Sequence, residues 1–166
     1  MQLPHSNNVL ESAAMRRKDP DSATEIKNAS ALRVGIVVSN YNSDVTGTML
    51  DGALSTLNAW QVKDKNVIVL KVSGSFEIPF ACLKLIKKKV DAIIALGCIV
   101  KGETRHDEYI ASAVAHGIMR LSLDHALPIS FGVLTTNTLK QAHDRSRGEN
   151  NKGNEAAVAA LQSALL

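Results

Sequence analysis

Four short runs of apolar residues punctuate the chain from Leu32 onward. They are residues 33–38 (RVGIVV), 66–72 (NVIVLKV), 91–100 (DAIIALGCIV) and 128–135 (PISFGVLT). Each is too short and too uniformly apolar for an amphipathic helix, which predicts strands. Near-continuous apolarity further predicts that both faces of these strands are covered, as in a parallel sheet. Between the runs the period changes to 3.6. Val45, Met49, Leu50, Ala53, Leu54 and Leu57 share one helical face. Residues 78–89 predict a shorter helix, with Pro79 tolerated in its first turn. Ile110, Ala113, Val114, Gly117, Ile118 and Leu121 mark a third and longer helix, and residues 137–143 and 154–166 the last two. Strand and helix alternate throughout, so the fold class is α/β, a doubly wound parallel sheet with right-handed crossovers.

The remaining composition narrows the class without changing it. At 166 residues the chain has room for one domain. Residues 1–30 mix Arg16, Arg17 and Lys18 with Glu11, Asp19, Asp21 and Glu25, and read as a polar tail rather than an acid-poor transit peptide. Residues 31–166 form the predicted single domain. A net charge of +3 is weak, and the cluster Lys87-Lys88-Lys89 suits the negative pole of a helix end better than a nucleic-acid surface. Cys82 and Cys98 each sit inside an apolar run, away from other metal-ligating residues. That predicts buried thiols in a reducing compartment, hence a cytoplasmic protein, and no metal. No apolar run approaches the length of a membrane span.

In open parallel sheets ligands bind beyond the carboxyl ends of the strands. That rule selects Ser39-Asn40-Tyr41-Asn42, Ser73-Gly74-Ser75-Phe76-Glu77, residues 101–106 and Thr135-Thr136-Asn137. Gly102-Glu103-Thr104 leads into the long third helix, where backbone N–H groups and the positive helix pole suit a phosphate. Gly and Thr are equally ordinary turn and cap residues. His106 is the histidine among these strand ends and is suited to proton relay, although a lone histidine also serves in packing. Glu77 either complements a helix start or holds a hydroxyl. Tyr41 and Phe131 are aromatic and suited to stacking on a planar ring, and Phe131, inside a strand, reads first as core. Arg145 and Lys152 lie near the end of the chain, where a phosphate or an exposed ion pair of the Lys140–Asp144 kind would engage such charges.

These segments together resemble the 6,7-dimethyl-8-ribityllumazine synthase family of riboflavin biosynthesis. The likeness runs from about Leu32 to the end. It rests on residues 39–42 (SNYN), 72–79 (VSGSFEIP), 95–106 (ALGCIVKGETRH) with Tyr109, 131–136 (FGVLTT), 141–145 and Asn151-Lys152-Gly153. Short strings like these arise by chance; six in order, each at an element end, do not.

The resemblance implies a flavodoxin-like three-layer α/β/α sandwich with a four-stranded parallel sheet. It implies a transferase that condenses 5-amino-6-(ribitylamino)uracil with 3,4-dihydroxy-2-butanone 4-phosphate, without metal or organic cofactor. Tyr41 would stack on the pyrimidine. Asn42, Gly74, Ser75, Phe76, Glu77, Cys98, Ile99 and Val100 would surround the ring and ribityl chain. Glu103, Thr104 and Arg145 would bind the phosphate, and His106 would transfer protons. Phe131 would approach the ring from a neighbouring subunit of a homopentamer, and Lys152 and Glu155 would lie around the same shared pocket, some family members forming larger shells.

Three departures stand out from the family pattern. Ser73 replaces a common proline, which predicts a less rigid loop. Asp107 replaces an aromatic beside His106. Ser146-Arg147-Gly148-Glu149 replaces a small, Gly-rich stretch. The residues also fit two other classes: a module that binds a lumazine or flavin without turnover, and an unrelated flavodoxin-like domain. A receiver domain would carry an acidic cluster after the first strand, and residues 39–42 supply none.

Overall fold

A computed structural model of the chain describes residues 28–166. Residues 1–27, most of the predicted polar tail, lie outside the described residues. The last of that tail is held rather than free. Ala29 is buried, and its N–H donates to the Trp60 carbonyl at 2.9 Å.

The predicted alternation is present with small shifts in its bounds. Strands β1 (Val34–Ser39), β2 (Val67–Val72), β3 (Ala92–Val100) and β4 (Ile129–Thr136) form one parallel sheet in the order β2-β1-β3-β4. Five α-helices connect or follow them: α1 (Ser43–Ala59), α2 (Ile78–Ile86), α3 (His106–Asp124), α4 (Leu139–Arg145) and α5 (Lys152–Ala164). The second helix stops three residues before the sequence pattern suggests, and Lys87-Lys88-Lys89 form the turn that follows it, with Lys89 in the left-handed region at φ 56°.

Strand order explains the layers. The chain steps outward from β1 to β2 and then back across β1 to β3, so right-handed crossovers place α1 on one face and α2 and α3 on the other. Alternate strand residues follow. Val34, Ile36, Val38, Ile94, Leu96 and Cys98 face a core shared with α1 and α5, while Val37, Ile93, Ala95, Ile99 and Val133 face α2 and α3. The α1–α5 seam is close. A Cβ on Gly153 would collide with the Met49 carbonyl, so only glycine allows that approach.

Complete coverage of every strand does not hold. The central strands β1 and β3 are buried on both faces, but β2 and β4 are edges. Val69 and Lys71 in β2 are exposed, as are Phe131 and Thr135 in β4. An edge strand reached by helices on only part of its width leaves apolar side chains uncovered, so an apolar run alone overstates burial there.

Candidate active site

Reversal of the chain between β1 and β3 opens a crevice at the carboxyl ends of those strands, the usual ligand position in such sheets. The β1 loop is held there by ladder-like bonds that outlast the strands. Asn40 N–H donates to Val72 O at 2.7 Å, and Tyr41 N–H donates to Ser73 O at 3.1 Å. The Thr46 hydroxyl donates to Ser39 O at 2.7 Å and anchors α1 to the same strand end. Asn42 sits at φ 57°, and its amide donates to the Cys98 carbonyl at 3.1 Å, across from β1 to β3.

The loop after β2 is a one-turn 3₁₀ helix, Ser75–Glu77. Glu77 folds back so that its carboxylate accepts the Gly74 N–H at 2.9 Å. It therefore takes the helix-start role that the sequence offered beside hydroxyl binding. Gly97 in β3 lets this turn settle onto the sheet, since a Cβ there would stand 2.7 Å from the Ser75 hydroxyl oxygen. Ser75 is buried, and its hydroxyl has no protein partner.

His106 opens α3 rather than lying in the preceding loop, four residues earlier than the apolar periodicity places the helix. The N-cap residue Arg105 makes no capping bond with its side chain, which instead pairs with Glu108 at 2.9 Å. Asp107 is half-buried, one of its carboxylate oxygens has no partner, and no hydrogen bond or ion pair joins it to the His106 ring.

These elements enclose a hollow of about 910 Å³. It gathers Tyr41, Gly74, Ser75, Phe76, Glu77, Cys98, Ile99, Val100, Thr104 and His106 from the ends of β1, β2 and β3. All ten belong to the site expected from the sequence. Gly102 from the loop after β3, with Asp107, Tyr109, Ile110 and Ala113 from α3, completes the wall. The last two were legible only as helix-face residues, since an apolar side chain at helical spacing gives no sign of whether it meets protein or ligand. Tyr41 and Phe76 are 71% and 61% exposed, so both rings are free to meet a planar group.

Two expected members stand outside this wall. Asn42 spends its amide on Cys98, and Glu103 is exposed without lining the hollow. Four more gather elsewhere. Phe131, Arg145, Lys152 and Glu155 line a second hollow of about 450 Å³ along the open side of β4, floored by Gly132, Val133 and Ala156. Phe131 is 47% exposed there, which corrects its reading as core. Lys152 is paired with Glu155 at 2.6 Å, and Arg145 at the end of α4 donates to its own helix at Gln141 O, 3.1 Å away. The cations thus lie beside the aromatic ring and away from Thr104 and His106. A single chain does not bring its candidate phosphate residues together.

Both thiols are buried, as expected. Burial pushes Cys82 from an ordinary 9.0 up to about 12, its own backbone opposing slightly. Cys98 is pushed up to about 11, again by burial, with an Asn42 hydrogen bond opposing and Asp44 adding to the rise. Among the described residues no group of three or more His, Cys, Asp or Glu side chains is placed to hold a metal ion. Nor is any described helix long and apolar enough to cross a membrane.

Comparison with known proteins bears on the same residues. The family described as 6,7-dimethyl-8-ribityllumazine synthase matches residues 31–166, which include both hollows. The chain belongs to the 6,7-dimethyl-8-ribityllumazine synthase family. Proteins of that name are similar over most of their length. One from Phocaeicola vulgatus is 45% identical over 139 residues, covering 82% of this chain and 83% of the relative. One from Kosmotoga olearia is 45% identical over 137 residues, covering 81% and 88%. One from Bacteroides fragilis is 41% identical over 133 residues, covering 79% and 93%. The sheet order and helix layers are those of an α/β sandwich, in agreement with the family's expected fold.

Proposed function

We propose that the chain, as a single catalytic domain of residues 31–166, makes 6,7-dimethyl-8-ribityllumazine from 5-amino-6-(ribitylamino)uracil and 3,4-dihydroxy-2-butanone 4-phosphate. Family membership supports the reaction. The observation that carries the mechanism is the division of the site residues between two hollows on one chain.

The larger hollow accepts the pyrimidine. Tyr41 and Phe76 offer flat apolar faces, while Gly74, Ser75 and Glu77 offer backbone and hydroxyl groups to the ribityl chain. Cys98 enters as a neutral thiol, because burial holds its ionisation near 11, and it contributes shape rather than a nucleophile. The uncapped first turn of α3, with the Thr104 hydroxyl beside it, faces the phosphorylated substrate. Asn42 and Glu103 act at the edge of this arrangement, Asn42 through its hold on the Cys98 carbonyl.

The smaller hollow supplies what the larger lacks: a ring to close over the pyrimidine in Phe131, and cations in Arg145 and Lys152. A neighbouring copy that places its β4 side against the first copy's crevice completes the site. The assembly we propose is a homopentamer, the size the family resemblance implies, with a mass roughly five times the 17.8 kDa of one chain. The buried free thiols support a reducing, cytoplasmic setting.

Chemistry then follows from placement. The ring amine attacks the ketone and water leaves to give an imine; phosphate is eliminated, and ring closure expels a second water. Both reactants carry their own driving force, so holding them together provides much of the acceleration. His106, next to the phosphate-facing turn, moves protons for the eliminations and adds about a hundredfold. No step calls for a cofactor.

The deciding experiment mixes the purified protein with both substrates and follows lumazine fluorescence with phosphate release. Product formation well above the spontaneous rate is expected. No acceleration, with binding of the pyrimidine retained, would leave a binding module in place of an enzyme.

A further inference from the structure

His143 lies outside both hollows and has no part in the reaction derived above, yet it joins the elements that carry them. Its Nε2 stands 3.1 Å from a carboxylate oxygen of Asp44, in the first turn of α1 three residues after Tyr41. Its Nδ1 stands 3.3 Å from the Arg147 guanidinium. A guanidinium only donates, so Nδ1 accepts there, and Nε2 carries the proton that faces Asp44. The His143 side chain is 26% exposed and that of Asp44 57%.

What this clamp holds is the turn of residues 146–150. Arg145 ends α4 on one side of the turn, and Lys152 begins α5 on the other. Both cations line the β4 hollow. The turn is also held by the Ser146 hydroxyl on the His143 carbonyl, at 3.1 Å, and by Asn151, whose amide donates to Thr48 O at 2.9 Å. Arg147 is the charged side chain of the turn that meets the His143 ring.

We propose that His143 is a positioning residue whose contacts with Asp44 and Arg147 set the spacing of Arg145 and Lys152. The inference rests on the synthase reading. A side chain there that neither donates nor accepts would free Arg147 and leave Asp44 without its partner on α4. The other charges near the ring are on its own helix. The Asp144 carboxyl is held below the usual carboxylate range mainly by its bond to Lys140, with smaller contributions from Arg145 and His143. The strands β3 and β4 beneath α4 carry no charged side chain, Cys98 being their one titratable group.

The consequence is a selective loss. H143L lacks both bonds, and its KM for the butanone phosphate should rise about threefold, the scale of a partly exposed charged contact. KM for the pyrimidine should stay level and kcat should change little. In H143Q the amide N–H keeps the donor to Asp44, and part of the loss should be recovered.

A parent-like KM in H143L, equal rises for both substrates, or an H143Q no better than H143L would overturn the proposal while leaving the synthase reading intact. An inactive parent protein would remove both. ¹⁵N-labelled imidazole resonances provide a readout independent of turnover. A proton on Nε2 of His143 is expected, and a tautomer with its proton on Nδ1 would overturn the clamp.

Discussion

Each side chain in the larger hollow is placed by backbone events just outside it. In the proposed mechanism His106 matters because α3 begins with it, and the expected cost of its loss is kinetic. His106→Ala should lower kcat by about a hundredfold, with KM for either substrate changed far less. Stopped-flow fluorescence at saturating substrates measures it. Arg145→Ala should do the reverse, raising KM for the butanone phosphate at least about tenfold while leaving pyrimidine affinity in place. Equal losses for both ligands would remove Arg145 from the phosphate. Ser75 offers a third test because its buried hydroxyl has no protein partner. Ser75→Ala should leave the thermal midpoint of the free protein level or slightly higher, and should weaken pyrimidine binding by about 1 kcal/mol. Isothermal titration and thermal unfolding together check both halves. The sequence made Tyr41, Ser75, Thr104 and His106 legible because polar and aromatic residues at strand ends need a reason. It left His143 silent, since its partner Asp44 lies almost a hundred positions away and nothing local links them.

Elements carry the stability that keeps those side chains in register. Four strands and five helices follow from period alone, because buried parallel strands and amphipathic helices impose different spacings on the same apolar residues. Period does not report which strands become edges. That is set by the order β2-β1-β3-β4, a long-range property, and it is why Phe131 is misplaced by local reading. The α1–α5 seam was equally hidden, because Gly153 looks like any helix-start glycine. Gly153→Ala should cost at least about 2 kcal/mol, since the new Cβ meets the Met49 carbonyl rather than a movable side chain. A urea midpoint measures it. The thiols of α2 and β3 predict a response to alkali. Their ionisation is pushed from 9.0 to about 12 for Cys82 and about 11 for Cys98, so above 9 the folded state binds more protons than the unfolded. Stability that is complete below pH 9 therefore falls as pH rises through the range from 9 to 12. Denaturant midpoints should fall less steeply over that range in a variant carrying Cys82→Ala and Cys98→Ala, whatever its starting stability.

At the scale of the whole molecule, the separation of the two hollows is the dominant fact. Each chain holds its aromatic crevice in one place and its cations and Phe131 in another. On the proposed reading, at butanone phosphate well below the parent's KM, a chain with His106→Ala and a chain with Arg145→Ala are each strongly impaired alone but complementary when refolded together. Random mixing would pair an intact crevice with an intact β4 side at about a quarter of the sites, and activity should return to about that level. No recovery in verified mixed assemblies would place the complete site within one chain.

If neighbouring chains share the site as proposed, the same separation ties turnover to abundance. A monomer that retains its sheet, its helices and its bound pyrimidine still lacks the other half of the machinery. Product per chain should then depend on concentration, falling away on dilution before any loss of helical signal. A cell that makes too little of this chain would lose the activity as a threshold rather than in proportion, while every molecule present remained folded.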